Sequence, residues 1–483
     1  MLDLLPSEIW SDSSIKILDP ACKSWVFLRE AAKRFIKWLE NEFPDLQERI
    51  DHIITKQLFW IGITNLTALL SRRSLYCSKN AKFDPNDDLW KYSICTKFKT
   101  NDWNVWFDRV EHERKNWNCI HCGASQWNYE RDESLESYAY KFIHSDIKEI
   151  YSLFDLDPKM KFNVIIGNPP YQLQTKKGDE KSNNRQQAIP IYNKFIEQAK
   201  KLNPQYLTMI IPSRWLQWWM WLDDFRSVML NDKGIKILHD FWNAKECFPW
   251  VEIKWWVCYF LRDNNYSWDC YITTHDNWKS VNAYRPLLQE WHDIFIRDNR
   301  AIPILNKIQW KCEKNITEII EWLTAFSFPT NFSDYKDSEF SDSIKIYWNK
   351  FIWYIKKDQI KTGQSLIKKY KVLLPEAIWN GWFDLPLKPI VTDNNCCCTS
   401  TYMVIGCFDK KEEAENLKTY ITTSFFKYLL WLRKITQHAT KKVYQFIPLQ
   451  DFSKSRTDEE LYKKYNLSQE EIDYIETTIK PMD

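Results

Sequence analysis

The order of apolar and polar segments over the first 262 residues predicts a sheet with helices between its strands. Short apolar runs at 162–166, 206–211 and 256–261 read as buried strands, because unbroken apolar runs are typical of parallel strands covered on both faces. A helix is expected from Tyr192 to Leu202, between two of these runs. Strands that alternate with helices in this way favour one doubly wound α/β sheet.

The first strand is followed by a turn that suits a cofactor. The apolar run that begins at Ser14 ends in Asp19 and Pro20, and an amphipathic helix is expected through about Leu39. Strand, tight turn and helix in this order form a nucleotide-type site at the carboxyl edge of an open sheet. We therefore expect the turn between Asp19 and Leu28 to bind a cofactor.

The strand at 162–166 ends in a stiff loop with the sequence Gly167, Asn168, Pro169, Pro170 and Tyr171. Two prolines cannot continue a strand, so the chain must leave the sheet at its carboxyl edge. The loop offers an amide side chain, exposed carbonyls and an aromatic ring. These groups suit a planar substrate that carries an amino group, since the oxygens can accept its hydrogens and the ring can stack on it.

These residues resemble two motifs of the adenine-N6 DNA methyltransferases. Residues 168–171 are similar to their N-P-P-Y motif, and residues 19–27 are similar to motif I, D-P-A-x-x-x-G-x-F, which holds S-adenosylmethionine. The resemblance implies a Rossmann-like methyltransferase sheet with catalytic residues Asn168, Pro169, Pro170 and Tyr171. The cofactor residues that it implies are Asp19, Pro20, Ala21, Ser24, Trp25, Phe27, Asp146 and Asn168.

Motif order places the chain nearest the gamma class, in particular the methyltransferase parts of large type II (IIG-like) restriction–modification proteins. Three residues, in two of the motifs, differ from the pattern or match it only weakly. Gly62 and Thr64 stand where a carboxylate often holds the cofactor ribose. Asp146 resembles the motif III acid, but an ordinary surface aspartate would look the same.

The resemblance implies a site-specific methylation of a flipped adenine in double-stranded DNA, with S-adenosylmethionine as cofactor. Tyr171 would stack on the base, while the Asn168 side chain and the Pro169 carbonyl would accept the two N6 hydrogens. Two alternatives stay open. One is a catalytically inactive or truncated DNA-binding relic, and the other is a protein glutamine-N5 methyltransferase, which uses the same loop.

The composition is unusual in one respect. The chain has 8 Gly and 27 Trp, where the usual share of about 7% glycine would give roughly 34 glycines. Trp25 also stands at the glycine position of motif I. We hypothesise that most tryptophans are glycines, with UGA translated as Trp although the source organism reads it as Gly. Codons at Trp25, Trp60, Trp218, Trp255 and Trp382 would decide this.

Residues 77–140 form an insert between the two halves of the catalytic core, 1–76 and 141–262. Cys119 and Cys122 form a C-x-x-C knuckle, and Cys77 and Cys95 precede it. Four sulfurs could hold one structural zinc ion in a zinc-ribbon-like insert. Free buried cysteines are the alternative.

A mixed α+β target-recognition domain is expected at 263–450, followed by a helical hairpin at 451–483 whose two helices begin with capping-box sequences. Basic and polar side chains late in the chain suit phosphate and base contacts. The predicted DNA contacts are Arg433, Lys434, Gln437, His438, Lys441 and Lys442.

Net charge, cysteine content and the length of the apolar runs predict the location of the protein and the kind of surface that it uses. The net charge is only +3, so a DNA-binding face must be local. Thirteen cysteines, no signal peptide and no 18-residue apolar stretch favour a cytoplasmic location without membrane contact. Since the family has further residues before Leu2, we expect a missing N-terminal segment or a separate restriction endonuclease subunit as partner; no nuclease signature is convincing here.

Overall fold

The computed structural model describes most of the chain, and the chain separates into two compact units, Met1–Phe295 and Ile296–Asp483. The described residues are 1–76, 104–106, 108–124, 137–157, 159–173, 189–217, 222–249, 251, 253, 256–290, 292–311, 313–321, 325–349, 351–377, 387–434 and 440–479.

The first unit is built on one large sheet with helices between its strands. Its strands are β1 (Ile17–Cys22), β2 (Leu58–Gly62), β3 (Val105–Trp106), β4 (Arg114–Lys115), β5 (Asn118–Cys119), β6 (Val164–Gly167), β7 (Tyr206–Pro212), β8 (Ile235–Phe241), β9 (Val257–Asp263), β10 (Cys270–Asp276) and β11 (Lys279–Arg285). Its helices are α1 (Val26–Trp38), α2 (Leu46–His52), α3 (Asn65–Tyr76), α4 (Tyr140–His144), α5 (Ile147–Ser152), α6 (Tyr192–Lys201) and α7 (Asp223–Leu230).

Nine of these strands form the sheet, in the order β11-β10-β8-β9-β7-β6-β1-β2-β3. Five adjacent strands, in the order β3-β2-β1-β6-β7, are parallel to one another, whereas β9 is antiparallel to both β7 and β8. The chain first moves outward from β1 to β3 and then returns to place β6 on the other side of β1. The boundary between β1 and β6 is therefore a topological switch point, where open α/β sheets bind ligands.

Helix α1 covers one face of this sheet through a regular apolar stripe. Leu28, Ala31, Ala32, Phe35 and Leu39 are buried and follow the helical spacing i, i+3, i+4 and i+7. They pack with Ile17, Leu58 and Val164 of three adjacent strands. The opposite face buries Leu18, Phe59 and Ile165. Because both faces are covered, the central strands are largely apolar, as the sequence pattern indicated; Asp19 of β1 and Thr208 of β7 are buried polar exceptions.

The doubly wound sheet predicted from the sequence is confirmed, and it extends further than residue 262. Strand β10 pairs in parallel with β8, and β11 pairs with β10 through a two-residue turn at Asn277 and Trp278. Residues 270–285, which the sequence pattern assigned to the second domain, are therefore part of the nine-stranded sheet of the first unit.

The second unit contains two three-stranded sheets and a helical part. Its strands are β12 (Ser343–Trp348), β13 (Phe351–Lys356), β14 (Tyr370–Pro375), β15 (Ile390–Val391), β16 (Cys396–Cys398) and β17 (Tyr402–Phe408), in the orders β13-β12-β16 and β15-β14-β17. Its helices are α8 (Ala301–Gln309), α9 (Lys411–Thr422), α10 (Ser424–Arg433), α11 (Asp458–Lys464) and α12 (Gln469–Thr478).

The C-terminal helices begin where their sequences indicated. Thr457 caps α11 and Ser468 caps α12, each in a capping box closed by Glu460 or Glu471. The reciprocal hydrogen bonds satisfy amide groups that the first helical turn cannot pair. Asp458 also accepts hydrogen bonds from the Ser424 and Phe425 amides at the start of α10, so these helices form part of the second unit. In the described part of the chain, no helix is long and apolar enough to cross a membrane.

We expect Phe35→Ala to lower the free energy of unfolding of the first unit by about 3–5 kcal/mol, because Phe35 is fully buried and its removal leaves a cavity. Urea unfolding followed by fluorescence measures the change. Lys37→Ala, on the exposed side of the same helix, is the control and should change stability by no more than about 0.5 kcal/mol. Equal effects of the two substitutions would contradict the packing described for α1.

Candidate active site at the carboxyl edge of the sheet

The carboxyl end of β1 carries a buried acid. Asp19 is 3% exposed, and its carboxylate accepts a hydrogen bond from the Ala21 amide at 3.1 Å. Burial raises the pKa of Asp19 to about 7, against the opposing effects of the Ala21 amide, Cys22 and Lys23. Desolvation dominates because few groups compensate the charge. The turn that follows β1 therefore begins with a carboxyl group that titrates near neutral pH.

The same turn holds an unusual backbone conformation at its end. Trp25 has φ 62° and ψ 19° and stands immediately before helix α1. This left-handed conformation is readily adopted by glycine and is unfavourable for a bulky side chain. A glycine at position 25 would adopt this backbone conformation without strain.

The Trp25 indole lies in the core rather than on the surface. It is 3% exposed, and its ring centroid is 6.1 Å from that of Trp60 on β2. Within the described part of the chain its indole nitrogen has no hydrogen-bond partner, although buried indole N–H groups usually find one. Trp60, in contrast, donates to the Ser71 hydroxyl at 2.9 Å.

The end of β6 lies directly against the end of β1. The two strands are parallel neighbours, with Ile17 opposite Val164 and Leu18 opposite Ile165. A Cβ atom on Gly167 would lie only 3.2 Å from Asp19 Oδ1 and 3.4 Å from Pro20 Cδ. Glycine at this position therefore allows the Asp19 turn and the loop after β6 to come into contact.

The loop after β6 presents two buried polar atoms that have no partner. In the described part of the structure, Asn168 Oδ1 accepts no hydrogen bond, and the Tyr171 hydroxyl neither donates nor accepts one. Burial raises the pKa of Tyr171, so its hydroxyl stays protonated at neutral pH. A buried, unsatisfied amide oxygen costs free energy, and a substrate that donated a hydrogen bond to Asn168 would recover it.

The backbone after this loop is held by two hydrogen bonds between main-chain groups. The Ile191 amide donates to the Tyr171 carbonyl at 3.2 Å, and the Leu173 amide donates to the Ile189 carbonyl at 3.0 Å. Ile191 precedes helix α6, so the helix and the loop are connected through the backbone. The predicted polar loop at 174–187 lies outside the described residues.

A second cluster of chemically active side chains lies in the insert. The ligand atoms of His112, Cys119, Cys122 and His144 all lie within 4.8 Å of one another. Cys119 and Cys122 are two of the four predicted zinc ligands, whereas Cys77 and Cys95 lie outside the described residues. We did not predict His112 and His144 as ligands. The available signal was that both histidines lie within about 25 residues of the knuckle in a chain with only 8 His.

Comparison with known proteins identifies the family. An uncharacterized adenine-specific methylase from Mycoplasma pneumoniae is 39% identical to this chain over 292 residues, which cover 57% of this chain and 67% of the relative. The chain belongs to the adenine-specific methylase family. The sequence model of the Eco57I restriction-modification methylase family also matches it, over residues 56–248. That range includes the loop at Asn168, and the adenine-specific methylase part of the resemblance is confirmed, whereas the gamma-class and IIG-like assignments stay predictions.

Solved structures similar to this methylase are restriction–modification enzymes of low sequence identity. The type IIL enzyme MmeI, solved in complex with DNA, is 14% identical, with a TM-score of 0.44 over 90% of this chain and 61% of that chain. The type IIG restriction endonuclease BpuSI is 10% identical, with a TM-score of 0.37 over 96% of this chain and 59% of that chain. The methylase thus spans about six-tenths of the length of these two chains.

Other predicted cofactor residues of the methylase have local structural roles. Asp146 is exposed and caps helix α5 by accepting a hydrogen bond from the Glu149 amide at 2.8 Å. Thr64 accepts a hydrogen bond from the Thr67 amide at the start of α3. The cofactor role of Asp146 stays a prediction. Ser24, in the turn before Trp25, is exposed, and Phe27, in the first turn of α1, is half-buried.

The predicted DNA contacts of the methylase lie in the second unit and differ in accessibility. Arg433 and Lys434 are 6% and 4% exposed, and burial lowers the pKa of Lys434 to about 8. Lys441 donates to the Ile320 carbonyl at 2.8 Å, and Lys442 is exposed. A DNA contact through Arg433 or Lys434 would require them to become accessible. Gln437 and His438 lie outside the described residues.

We expect Asp19→Asn to change the pH dependence of stability in a defined direction. The folded-state pKa of Asp19, about 7, is above its unfolded value, so its contribution is largest below about pH 4 and is lost as pH rises through 7. Between pH 5 and pH 8 the free energy of unfolding of the unmutated protein should therefore fall, relative to that of the Asp19→Asn variant, by on the order of a few kcal/mol. Urea unfolding of both proteins without cofactor measures this, and the same pH dependence in both proteins would mean that Asp19 is ionised throughout this range.

Proposed function

We propose that this methylase is a site-specific DNA adenine-N6 methyltransferase of a restriction–modification system, with S-adenosylmethionine as its cofactor. The observation that carries the proposal is the buried Asn168 Oδ1 atom, which has no partner among the described residues. It lies in the loop after β6, beside the Asp19 turn after β1. Family membership and the switch-point position of both loops support the same conclusion.

The turn after β1 has features that fit S-adenosylmethionine. The side chains of Asp19 and Pro20 closely approach the β6 loop at Gly167, and the backbone adopts a glycine-type conformation at position 25. Asp19, Ala21, Ser24 and Phe27 would hold the cofactor there. When bound, S-adenosylmethionine supplies an electrophilic methyl group. The neutral form of Asp19, favoured by burial near pH 7, gives the turn a hydrogen-bond donor as well as acceptors.

The β6 loop would prepare the substrate amine. An exocyclic amine on an aromatic ring is a weak nucleophile because its lone pair is delocalised into the ring. Asn168 Oδ1 and the Pro169 carbonyl would accept its two hydrogens and so increase the electron density on nitrogen. Tyr171 would stack on the base, which must leave the duplex to reach a site at the edge of the sheet. Positioning and hydrogen bonding are then the chain's main contributions to the rate.

We further propose that Trp25 and most other tryptophans stand for glycine. Twelve described non-glycine residues have positive φ; nine are Asn, Asp or Ser, and the other three are Trp25, Trp117 and Trp278. Short polar side chains tolerate this conformation, but tryptophan has no such compensation. The backbone therefore favours glycine at the three tryptophan positions.

Two of these tryptophans occupy the same kind of hairpin turn. Asn116 and Trp117 connect β4 to β5 with φ 51° and 68°, and Asn277 and Trp278 connect β10 to β11 with φ 49° and 64°. A two-residue hairpin with positive φ at both positions is a type I′ turn, for which Asn-Gly is the preferred sequence. Trp117 and Trp278 are 64% and 79% exposed, so neither indole is part of the buried core.

We expect Asn168→Ala and Tyr171→Ala each to reduce methyl transfer by about 10²–10³-fold, since each removes a contact to the reacting base. Incorporation of radioactive methyl groups into unmethylated genomic DNA measures this, because such DNA offers many different sequences and the recognition site need not be identified first. Gln172→Ala, an exposed neighbour in the same loop, should retain activity. Unchanged activity in the Asn168 variant, or transfer to protein glutamine instead of DNA, would refute the proposal.

We expect replacement of Trp117 or Trp278 by Gly to stabilise the protein by about 1–2 kcal/mol, because the left-handed strain is relieved. Trp25→Gly should raise S-adenosylmethionine affinity, measured by calorimetry, at least tenfold. Trp268→Gly is the control, since Trp268 is equally exposed but has no positive φ, and it should not stabilise.

The gene itself provides an independent check of the tryptophan proposal. UGA codons at positions 25, 117 and 278 would support it, while UGG codons would contradict it. In the second case a genuine indole at position 25, together with no measurable cofactor binding, would favour the inactive DNA-binding relic.

A further inference from the structure

We propose that His112, Cys119, Cys122 and His144 bind one zinc ion in a closed structural site. The ligand atoms of all four residues lie within 4.8 Å of one another. Both cysteines are nearly inaccessible, at 3% and 1% exposure. Two thiolates and two imidazoles are the ligand set of many structural zinc sites, whereas calcium and magnesium prefer oxygen.

The separations between ligand atoms agree with a tetrahedron around zinc. Cys119 Sγ lies 3.7 Å from His144 Nε2, and Cys122 Sγ lies 3.5 Å from His112 Nδ1. Zinc bonds of about 2.3 Å to sulfur and about 2.0–2.1 Å to nitrogen predict a sulfur–nitrogen edge of roughly 3.5 Å in a tetrahedral site. Both measured edges are close to this value, so only small movements are needed to complete the coordination.

The backbone of the knuckle is already arranged to bring its two sulfurs together. The Gly123 amide donates to the Cys119 carbonyl at 2.9 Å, and the Cys119 amide donates to the Ala124 carbonyl at 2.9 Å. Gly123 has φ 79°, with open space where a side chain would be. The left-handed glycine lets the chain reverse directly after Cys122, and the short hairpin β4–β5 leads into the knuckle.

The ion would connect the insert to the helices behind the catalytic loop. His144 ends helix α4, whose Phe142 stacks on Phe195 of α6 with ring centroids 6.0 Å apart. Gln198 of α6 donates to the carbonyl of Ser145, the residue after His144, at 2.6 Å. The residue before α6, Ile191, donates its amide to Tyr171. The zinc site thus lies at one end of a continuous set of contacts that reaches the catalytic loop.

The four residues complete a tetrahedral site without the other two predicted cysteines. Cys77 and Cys95 lie outside the described residues, and the two ligand sets share only Cys119 and Cys122. A site with two thiolates and two histidines is therefore distinguishable from one with four thiolates by both mutation and spectroscopy. This inference does not depend on the proposed methyl transfer.

Metal content of the purified full-length protein tests the ligand set. We expect one zinc ion per chain in the unmutated protein. The Cys77→Ser/Cys95→Ser double variant and His121→Ala should retain it. In His112→Ala and in His144→Ala the zinc content should fall at least tenfold. His121 is the matched control, because its ring lies 5.0 Å from that of His144 but it is not one of the four ligands. Loss of zinc in the double cysteine variant, or its retention in both histidine variants, would overturn the proposal.

Cobalt substitution of the unmutated protein keeps the test independent of variant folding. Co²⁺ in the site should show the visible bands of a tetrahedral ion, with a sulfur-to-metal charge-transfer intensity appropriate to two thiolates rather than four. Added Zn²⁺ should abolish these bands at one equivalent. An octahedral spectrum, a four-thiolate intensity or no cobalt binding would each refute the site, whatever the methyltransferase activity of the preparation.

Discussion

The close contact between the ends of β1 and β6 is the constraint on which the candidate site depends. These strands are sequence-distant but adjacent in the sheet, and their carboxyl ends meet because both are parallel. Gly167 permits the contact, since a side chain there would come within 3.2 Å of the Asp19 carboxylate. A side chain at position 167 would press against the turn expected to bind the cofactor, and Asp19 or Pro20 would have to shift to admit it. Catalysis by positioning requires that these two loops be held together.

Burial gives the site its chemical character. The same apolar surroundings raise the pKa of Asp19 to about 7 and leave Asn168 Oδ1 without a partner in the described structure. Both features cost stability in the free protein. Groups of this kind persist where a ligand satisfies them, and their location at the switch point of the sheet is where such a ligand is expected. The stability cost and the proposed function therefore have one physical origin.

Three tryptophans stand at positions where the backbone conformation does not suit their side chain. In a sequence that specifies one fold, local preference and backbone conformation normally agree. Here nearly all left-handed positions carry residues that tolerate the conformation, and Trp25, Trp117 and Trp278 are the exceptions. Replacing these three by glycine removes the conflict at a motif turn and at two Asn-containing hairpins at once. The proposed change in codon meaning would account for all three positions at once.

The sequence by itself determined the type of the first unit, the two loops of its site and the caps of the last two helices. Buried parallel strands, Asp-Pro and Asn-Pro-Pro-Tyr turns and capping boxes are local patterns, and local physical chemistry suffices to interpret them. Three other features required tertiary structure. Strands β10 and β11 join the sheet through β8, His112 and His144 meet the cysteine knuckle, and Arg433 and Lys434 become buried. Each depends on contacts between segments that are far apart in the sequence. A local sequence pattern does not predict which distant segments will come into contact.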